Sequence, residues 1–301
     1  MPAAPSGEQF ELRHGEQVAV VTEVGATLRS YRVGEREILD GFARDAIVDG
    51  GRGTVLMPWP NRLRDGRYEW EEATLQLALS EPTLQNAIHG LVHWRNWSAI
   101  DISPSSVLLG LRLAPMGGYP FALALSVEYS LGARGLSVTA RAENVGGSAC
   151  PYGVGFHPYL KVGEKVDTAT LTIPASRILT FDERQIPVAS GSVEESGFDF
   201  RSGRAIGSTL LDSCFTDLHR CSDGFARVTV AEGATAVTVW MGEACRFVMV
   251  YTGDTLAPHR RRRGIAIEPM SCAPNAFASG DGLVRLEPGE AHVAHWGIDP
   301  V

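Results

Sequence analysis

The chain has 301 residues, 44% of them apolar, with a formal net charge of −8 and a sequence pI of about 5.5. That is enough apolar side chain for a sizeable core, in one large β domain or two small ones. The acidic balance argues against a nucleic-acid partner, whose binding rests on a basic footprint. No apolar run is long enough to span a bilayer, which argues against a membrane partner.

Met1-Pro2-Ala3-Ala4-Pro5-Ser6-Gly7-Glu8 has neither a basic n-region nor an apolar h-region. Residues 1–8 therefore read as a flexible lead and not as a secretory signal. Beyond it, period-two alternation predicts strands at Val18–Val24, Thr27–Val33, Tyr68–Leu79 and Val107–Leu113. Leu123–Leu131 and Leu136–Ala142 alternate on either side of Gly132-Ala133-Arg134-Gly135 and read as a hairpin. Further strands are predicted at Thr168–Ile173, Arg227–Ala231, Ala236–Trp240, Phe247–Tyr251 and Ala291–Ile298. Pro187–Gly203 is polar and Gly/Ser-rich and reads as a long surface connection. Many strands without intervening helices predict an all-β fold, a large antiparallel β-sandwich. With no repeat and no clear linker, residues 1–301 read as a single domain.

Five segments carry residues that suit chemistry. Pro58 and Pro60 brace Asn61-Arg62 just before a predicted strand. Arg62 held this way can present its planar fork to ring or hydroxyl oxygens, or can close a structural salt bridge. Asn86–Trp97 holds His89, His93, Trp94 and Trp97. Imidazole is the usual proton carrier near neutral pH, and Trp faces pack against sugar C–H surfaces. The plainer reading makes His93 a strand residue and the tryptophans core. His157 follows two nearby glycines and precedes Pro158, which fits a pre-oriented imidazole or a structural one. Asp212 interrupts an apolar run and needs a partner, a ligand hydroxyl or a turn. Glu268 follows the apolar Ile265-Ala266-Ile267 and precedes Pro269, so its backbone is held extended at the end of a rigid strand. That suits a positioned general base.

Other readings lead away from chemistry. His259-Arg260-Arg261-Arg262-Arg263 is either a polyanion site or an exposed loop. The five cysteines, 150, 214, 221, 245 and 272, are odd in number and lack framework spacing, which points to reduced thiols and a cytoplasmic setting. No metal is expected: His292 and His295 fall on opposite faces of a strand, and Cys214, His219 and Cys221 lack a fourth partner at zinc spacing. Nucleotide-binding and nucleophile-elbow motifs are absent.

Taken in order, these segments resemble the aldose 1-epimerase (galactose mutarotase-like) family, in a divergent bacterial branch. The matching pieces are Asn61-Arg62 before Asp65-Gly66-Arg67-Tyr68, Asn86-x-x-His89-Gly90 and Gly155-Phe156-His157-Pro158-Tyr159. Leu211-Asp212-x-x-Phe215, Tyr251-Thr252-Gly253-Asp254, Glu268-Pro269 with Asn275-Ala276-Phe277, and the closing Trp296-Gly297-Ile298 continue the series. The resemblance implies a supersandwich fold and cofactor-independent interconversion of aldose anomers. It implies Glu268 as general base, His157 as general acid and His89 steadying a sugar oxygen. Arg62, Asn61 and Asp212 are expected to hold hydroxyls, with Trp94 and Tyr159 also in the sugar site; Asp217 is an alternative to Asp212. The expected partner is a small-molecule monosaccharide, with the chain a monomer or weak homodimer. Met249 stands where galactose mutarotases carry Gln, which puts galactose preference in doubt. A related branch acting on hexose 6-phosphates carries Arg where this chain has His93, although Arg95 or Arg64 could substitute. Hexose-6-phosphate 1-epimerase and a non-catalytic sugar-binding or regulatory protein are therefore the alternatives.

Overall fold

In the computed structural model, which describes residues 4–301, nearly all regular structure is antiparallel strand. A nine-stranded sheet runs in the order Ser98–Ile102, Ser106–Leu113, Leu123–Gly132, Gly135–Asn144, Ala291–Pro300, Thr235–Met241, Ala226–Glu232, Thr170–Thr172, Arg204–Ala205. The predicted hairpin lies inside it, with Gly132 opposite Gly135. Gly135 has φ +138°, and a Cβ there would stand 2.1 Å from the Ile298 carbonyl oxygen, so the tight turn requires glycine. Leu123, Leu125, Val127, Tyr129 and Leu131 are buried on one face of the hairpin, as alternation dictates.

An eight-stranded sheet has the order Pro187–Ser192, Ala175–Phe181, Asp212–Leu218, Phe247–Tyr251, Ile265–Met270, Gly155–Phe156, Val55–Leu56, and Tyr159–Leu160 pairs beside Ile265–Met270. The two large sheets share one apolar core. Val248, Val250, Ile265 and Ile267 from one pack in the same cluster as Val237, Val239, Met241 and Ile298 from the other. Across that interface the Phe156 and Trp296 ring centroids are 5.1 Å apart. A four-stranded sheet, Gln9–His14, Gln17–Thr22, Leu28–Val33 and Arg36–Glu37, is tied to the nine-stranded one where the Tyr129 hydroxyl donates to the Ala26 carbonyl at 2.7 Å.

Several sequence expectations change. Tyr68–Leu79 is not one strand but a hairpin, Arg67–Trp70 against Ala73–Gln76. Glu71 takes the turn with φ +51°, while Trp70 is held by Phe121 and by donation to the Ala149 carbonyl. Pro187–Gly203 is not wholly a connection. It holds the strand Pro187–Ser192 and a short helix, Val193–Ser196, whose start is capped by the Ser192 hydroxyl. A polar strand opening on proline is tolerated there because it forms a sheet edge. The predicted flexible lead falls partly on residues 1–3, outside the described residues. From Ala4 onward it is bonded: the Gly7 N–H donates to the Ala4 carbonyl and the Glu8 N–H to the Glu23 carboxylate, each at 2.9 Å. The five cysteines are free, four of them buried and Cys221 exposed. Among the described residues, no helix is long and apolar enough to cross a membrane.

Candidate functional site

The eight-stranded sheet buries one face in the sandwich and offers the other to a cavity of about 300 Å³. Register decides which side chains reach it. Met249 lies opposite both Cys214 and Glu268, and Tyr251 lies opposite both Asp212 and Ala266. Directly opposed residues of antiparallel strands share a face. Glu268 and Asp212 therefore stand in adjacent rows on the face away from the core, with Met249 and Tyr251 between them.

Glu268 is not at a strand end. It is the fourth residue of Ile265–Met270, inside the strand, and is only 2% exposed. A proline next to it in a central strand needs a gap in the ladder. The neighbouring chain accommodates it: Gly155 pairs with Met270 and Tyr159 with Ala266, and between them the Ile267 N–H still donates to the Pro158 carbonyl at 3.2 Å, while the two prolines donate nothing. In that register His157 lies opposite Glu268. The imidazole of His157 is thereby set beside the carboxyl, with Nε2 3.3 Å from Glu268 Oε1.

Several contacts hold His157. Its N–H donates to the Thr54 carbonyl, and its own carbonyl accepts from Gly53 N–H at 2.8 Å. The Tyr159 ring stacks on it at 5.1 Å and 13°, and the Arg52 guanidinium lies 4.4 Å above the other aromatic ring of that stack, Tyr159 itself. Arg52 is anchored by the buried Asp40 carboxylate at 2.9 Å. The Gly50-Gly51 turn closes the other side. A Cβ on Gly51 would meet His157 Cδ2 at 2.9 Å, and the Tyr159 hydroxyl donates to the Gly50 carbonyl.

His89 approaches His157 edge-on at 5.4 Å. Its backbone is left-handed, φ +63°, as is that of Asn61, φ +56°, and the His89 N–H donates to the Asn61 carbonyl at 3.0 Å. Non-glycine residues rarely adopt this conformation, and it persists where the surroundings over-determine it. Here the adjoining Gly90 packs against the Met57 carbonyl so closely that no Cβ fits. Arg62 does close a salt bridge, with Nε and Nη2 on Glu81 at 2.8 and 2.9 Å. It still lines the cavity, where Nη1 is the donor left to a ligand.

Burial dominates the electrostatics. It pushes the Glu268 carboxyl well above the usual range, with added repulsion from Asp212 and partial relief from Arg62. It pulls the His157 imidazole down to about 3, helped by the charges of Arg52 and Arg62. His89 is lowered well below its usual value by burial and then by His157 and Arg62. Both histidines are therefore neutral at neutral pH. Desolvation also raises the carboxyl of Asp212, against the pull of Arg62, although this residue opens to solvent at the cavity mouth. Three buried polar atoms in the site have no hydrogen-bond partner: Glu268 Oε2, His157 Nδ1 and His89 Nδ1. Native interiors rarely leave such atoms unpaired, and a ligand would satisfy them.

The cavity thus gathers Asn61, Arg62, His89, His157, Tyr159, Asp212 and Glu268. Trp94 is not among them. It is 57% exposed, with its ring tilted against His93 at 5.4 Å, because the turn after Gly90 carries it outward. Asp217 also lies outside, exposed and 4.0 Å from Arg177, five residues beyond Asp212 along the same strand. Trp97 is fully buried in the core. The chain reading missed Arg52, Asp40, Gly50, Gly51, Thr255 and Leu256. Only the cluster Gly50-Gly51-Arg52-Gly53 hinted that backbone approaches something closely there. Among the described residues, no group of three or more His, Cys, Asp or Glu is placed to hold a metal ion.

Comparison with known proteins agrees with this architecture. The profile of one family, described as aldose 1-epimerase, matches residues 8–298. The chain is 36% identical over 289 residues to the uncharacterized protein YihR of Escherichia coli, covering 95% of this chain and 91% of that one. It is 22% identical to the uncharacterized protein YphB of the same organism, over 94% of this chain and 95% of the other. Among solved structures, a GalM/aldose epimerase homologue from C. elegans superposes with TM-score 0.86 at 18% identity, covering 98% of each chain. A galactose 1-epimerase from Lactobacillus acidophilus gives 0.79 at 18% identity, over 96% of this chain and 92% of that one.

Proposed function

The chain belongs to the aldose 1-epimerase family, and on that premise we propose that it interconverts the α and β anomers of a free aldose by acid–base ring opening and closing, with no cofactor. The observation that carries this reading is the pairing of His157 Nε2 with Glu268 Oε1 at 3.3 Å, both side chains buried and each group keeping a second, unpartnered polar atom. Binding a sugar needs hydrogen-bond partners. It does not need a buried carboxyl and a buried imidazole 3.3 Å apart.

Burial favours the protonated Glu268 carboxyl and the neutral His157 imidazole. A bound sugar changes the balance: hydroxyls donating to Glu268, together with the nearby Arg62 charge, favour the carboxylate, and the proton passes to His157. Glu268 then takes the proton of the anomeric hydroxyl while His157 protonates the ring oxygen, and the C1–O5 bond opens. The aldehyde rotates about C1–C2, and closure on the other face returns both protons. His89, neutral, serves as a hydrogen-bond donor to a sugar oxygen. Arg62 Nη1 and the side chain of Asn61 supply donors, Asp212 accepts from a distal hydroxyl, and the Tyr159 ring forms a wall.

A free aldose is favoured over a hexose 6-phosphate because, among the described residues, Arg62 is the one lysine or arginine lining this cavity. Arg64 is paired with Asp182, and Arg95 lies in a separate cleft beside Met116. The test is anomer exchange by NMR with glucose, galactose, xylose, arabinose and glucose 6-phosphate. Glu268→Gln is expected to lower the exchange rate by about 10²–10⁴-fold while the fold persists, the usual contribution of one positioned acid or base. Binding shifts with no acceleration by the unmodified protein would replace this reading with a sugar-binding module.

A further inference from the structure

The basic run His259–Arg263 is left over from the catalytic cavity, and it is not a plain exposed loop. Arg262 turns inward to Asp167 and Asp254. Arg260 and Arg263 instead line a second cavity of about 320 Å³, together with Arg29, Arg32, Leu39 and Phe42. Arg29 stands more than two hundred residues earlier in the chain, so only the fold brings these guanidinium groups together.

The carboxylates nearby do not balance them. Asp40 is engaged by Arg52 at 2.9 Å and by Arg260 at 3.3 Å, with Arg263 farther away at 3.8 Å. Asp49 serves the same Arg52 and Arg260, at 3.3 and 3.7 Å. Glu37 is taken by Lys161. Glu11, the carboxylate that acts on Arg29, is paired with Arg13 at 2.6 Å, and Arg44 adds repulsion. Among the described residues lining this cavity, Arg29 and Arg32 form no salt bridge, and Arg263 reaches only Asp40, at 3.8 Å, which Arg52 and Arg260 already share. Arg29 donates Nη1 to the Phe42 carbonyl at 2.9 Å, but its Nε is buried with no partner. An unpaired buried donor on a charged group is costly, and a guanidinium fork matches the geometry of an oxyanion. In a chain of net charge −8 this local excess of positive charge stands out.

We propose that this cavity is a second ligand site, which takes a small doubly charged oxyanion, a phosphate or phosphoryl group, between Arg29, Arg260 and Arg263. It is separate from the sugar cavity. The wall between them is the Asp40–Arg52 pair, and Arg52 is also the group that covers Tyr159.

At constant ionic strength, inorganic phosphate titrated calorimetrically into the full chain is expected to saturate at one site. Arg29→Gln and Arg263→Gln are each expected to weaken it at least tenfold. Arg263 is 40% exposed, so that variant keeps its fold even where Arg29→Gln does not. Glucose 6-phosphate binding more tightly than phosphate, with the same loss in Arg263→Gln, would identify the phosphoryl group of a larger metabolite. Equal affinity for the two probes would identify the free oxyanion. No saturation with either probe, or saturation undiminished in Arg263→Gln, overturns the proposal.

Discussion

Burial pushes the two proposed reacting groups in opposite directions: the Glu268 carboxyl toward its protonated form and the His157 imidazole toward its neutral one. Their contributions to stability must then have opposite pH slopes. The raised carboxyl stabilises the folded state fully below its unfolded pKa of about 4.5, and that contribution is lost as pH rises toward the folded value. The depressed imidazole stabilises fully above its unfolded value of 6.5, and that contribution is lost as pH falls toward about 3. Between pH 4.5 and 6.5 the two slopes oppose each other in the unmodified protein. We expect Glu268→Gln, with the imidazole slope left alone, to lose stability relative to the parent as pH falls through that window. His157→Asn should gain relative stability over the same range. Thermal unfolding at several pH values measures both, and parallel curves for the two variants would contradict the buried-pair description. At this scale the residue types were legible in the chain: a carboxylate and an imidazole, each braced by a following proline. Trp94 was not, because a tryptophan beside a histidine reads as a sugar platform whichever way the turn carries it.

The element that organises the site is a defect in a sheet. Pro158 and Pro269 each lack the N–H that a ladder needs, and they meet on adjoining stretches where bonds of the ladder are missing although its register is kept. That register sets His157 opposite Glu268. On its far side the Gly50-Gly51 turn leans on the imidazole. Gly51 has φ +70°, and a Cβ there would lie 2.9 Å from His157 Cδ2, whereas Gly15, φ +57°, has nothing within 4 Å of its Cβ. Gly51→Ala and Gly15→Ala should therefore share a backbone cost of about 1–2 kcal/mol. Only Gly51→Ala should also lower kcat/KM, by tenfold or more, since a displacement near 1 Å in a catalytic group costs about 10²-fold. Equal activity in the two variants would remove the turn from the positioning of His157. The strands themselves were readable from period-two alternation, as the 123–144 hairpin illustrates. The register across the two prolines was not, because it depends on which strand lies beside Ile265–Met270.

Across the whole molecule, the sheet face that lines the cavity rests on the core that joins the two large sheets. Phe156, adjacent to His157, contributes one side of that core through Trp296. Phe156→Ala should destabilise the protein by about 3–5 kcal/mol, as large-to-small changes of buried aromatics do, read from denaturant unfolding with an unchanged m-value. A loss under about 1 kcal/mol would mean that the sheets do not depend on this contact. The amino-acid sequence by itself determined the all-β class, most strand positions, and the carboxylate, histidines and arginine of the site. Alternation and proline or glycine bracing are local signals that survive in one dimension. Tertiary structure alone decided that Glu268 lies inside a strand and that Asp212 rather than Asp217 faces the cavity. It also decided that Arg52 and Asp40 stand behind His157, and that Arg29 joins Arg260 and Arg263. Each of these depends on strand register or on chain segments far apart in sequence, and a side chain's face and its neighbours across the sheet exist only once the strands are paired.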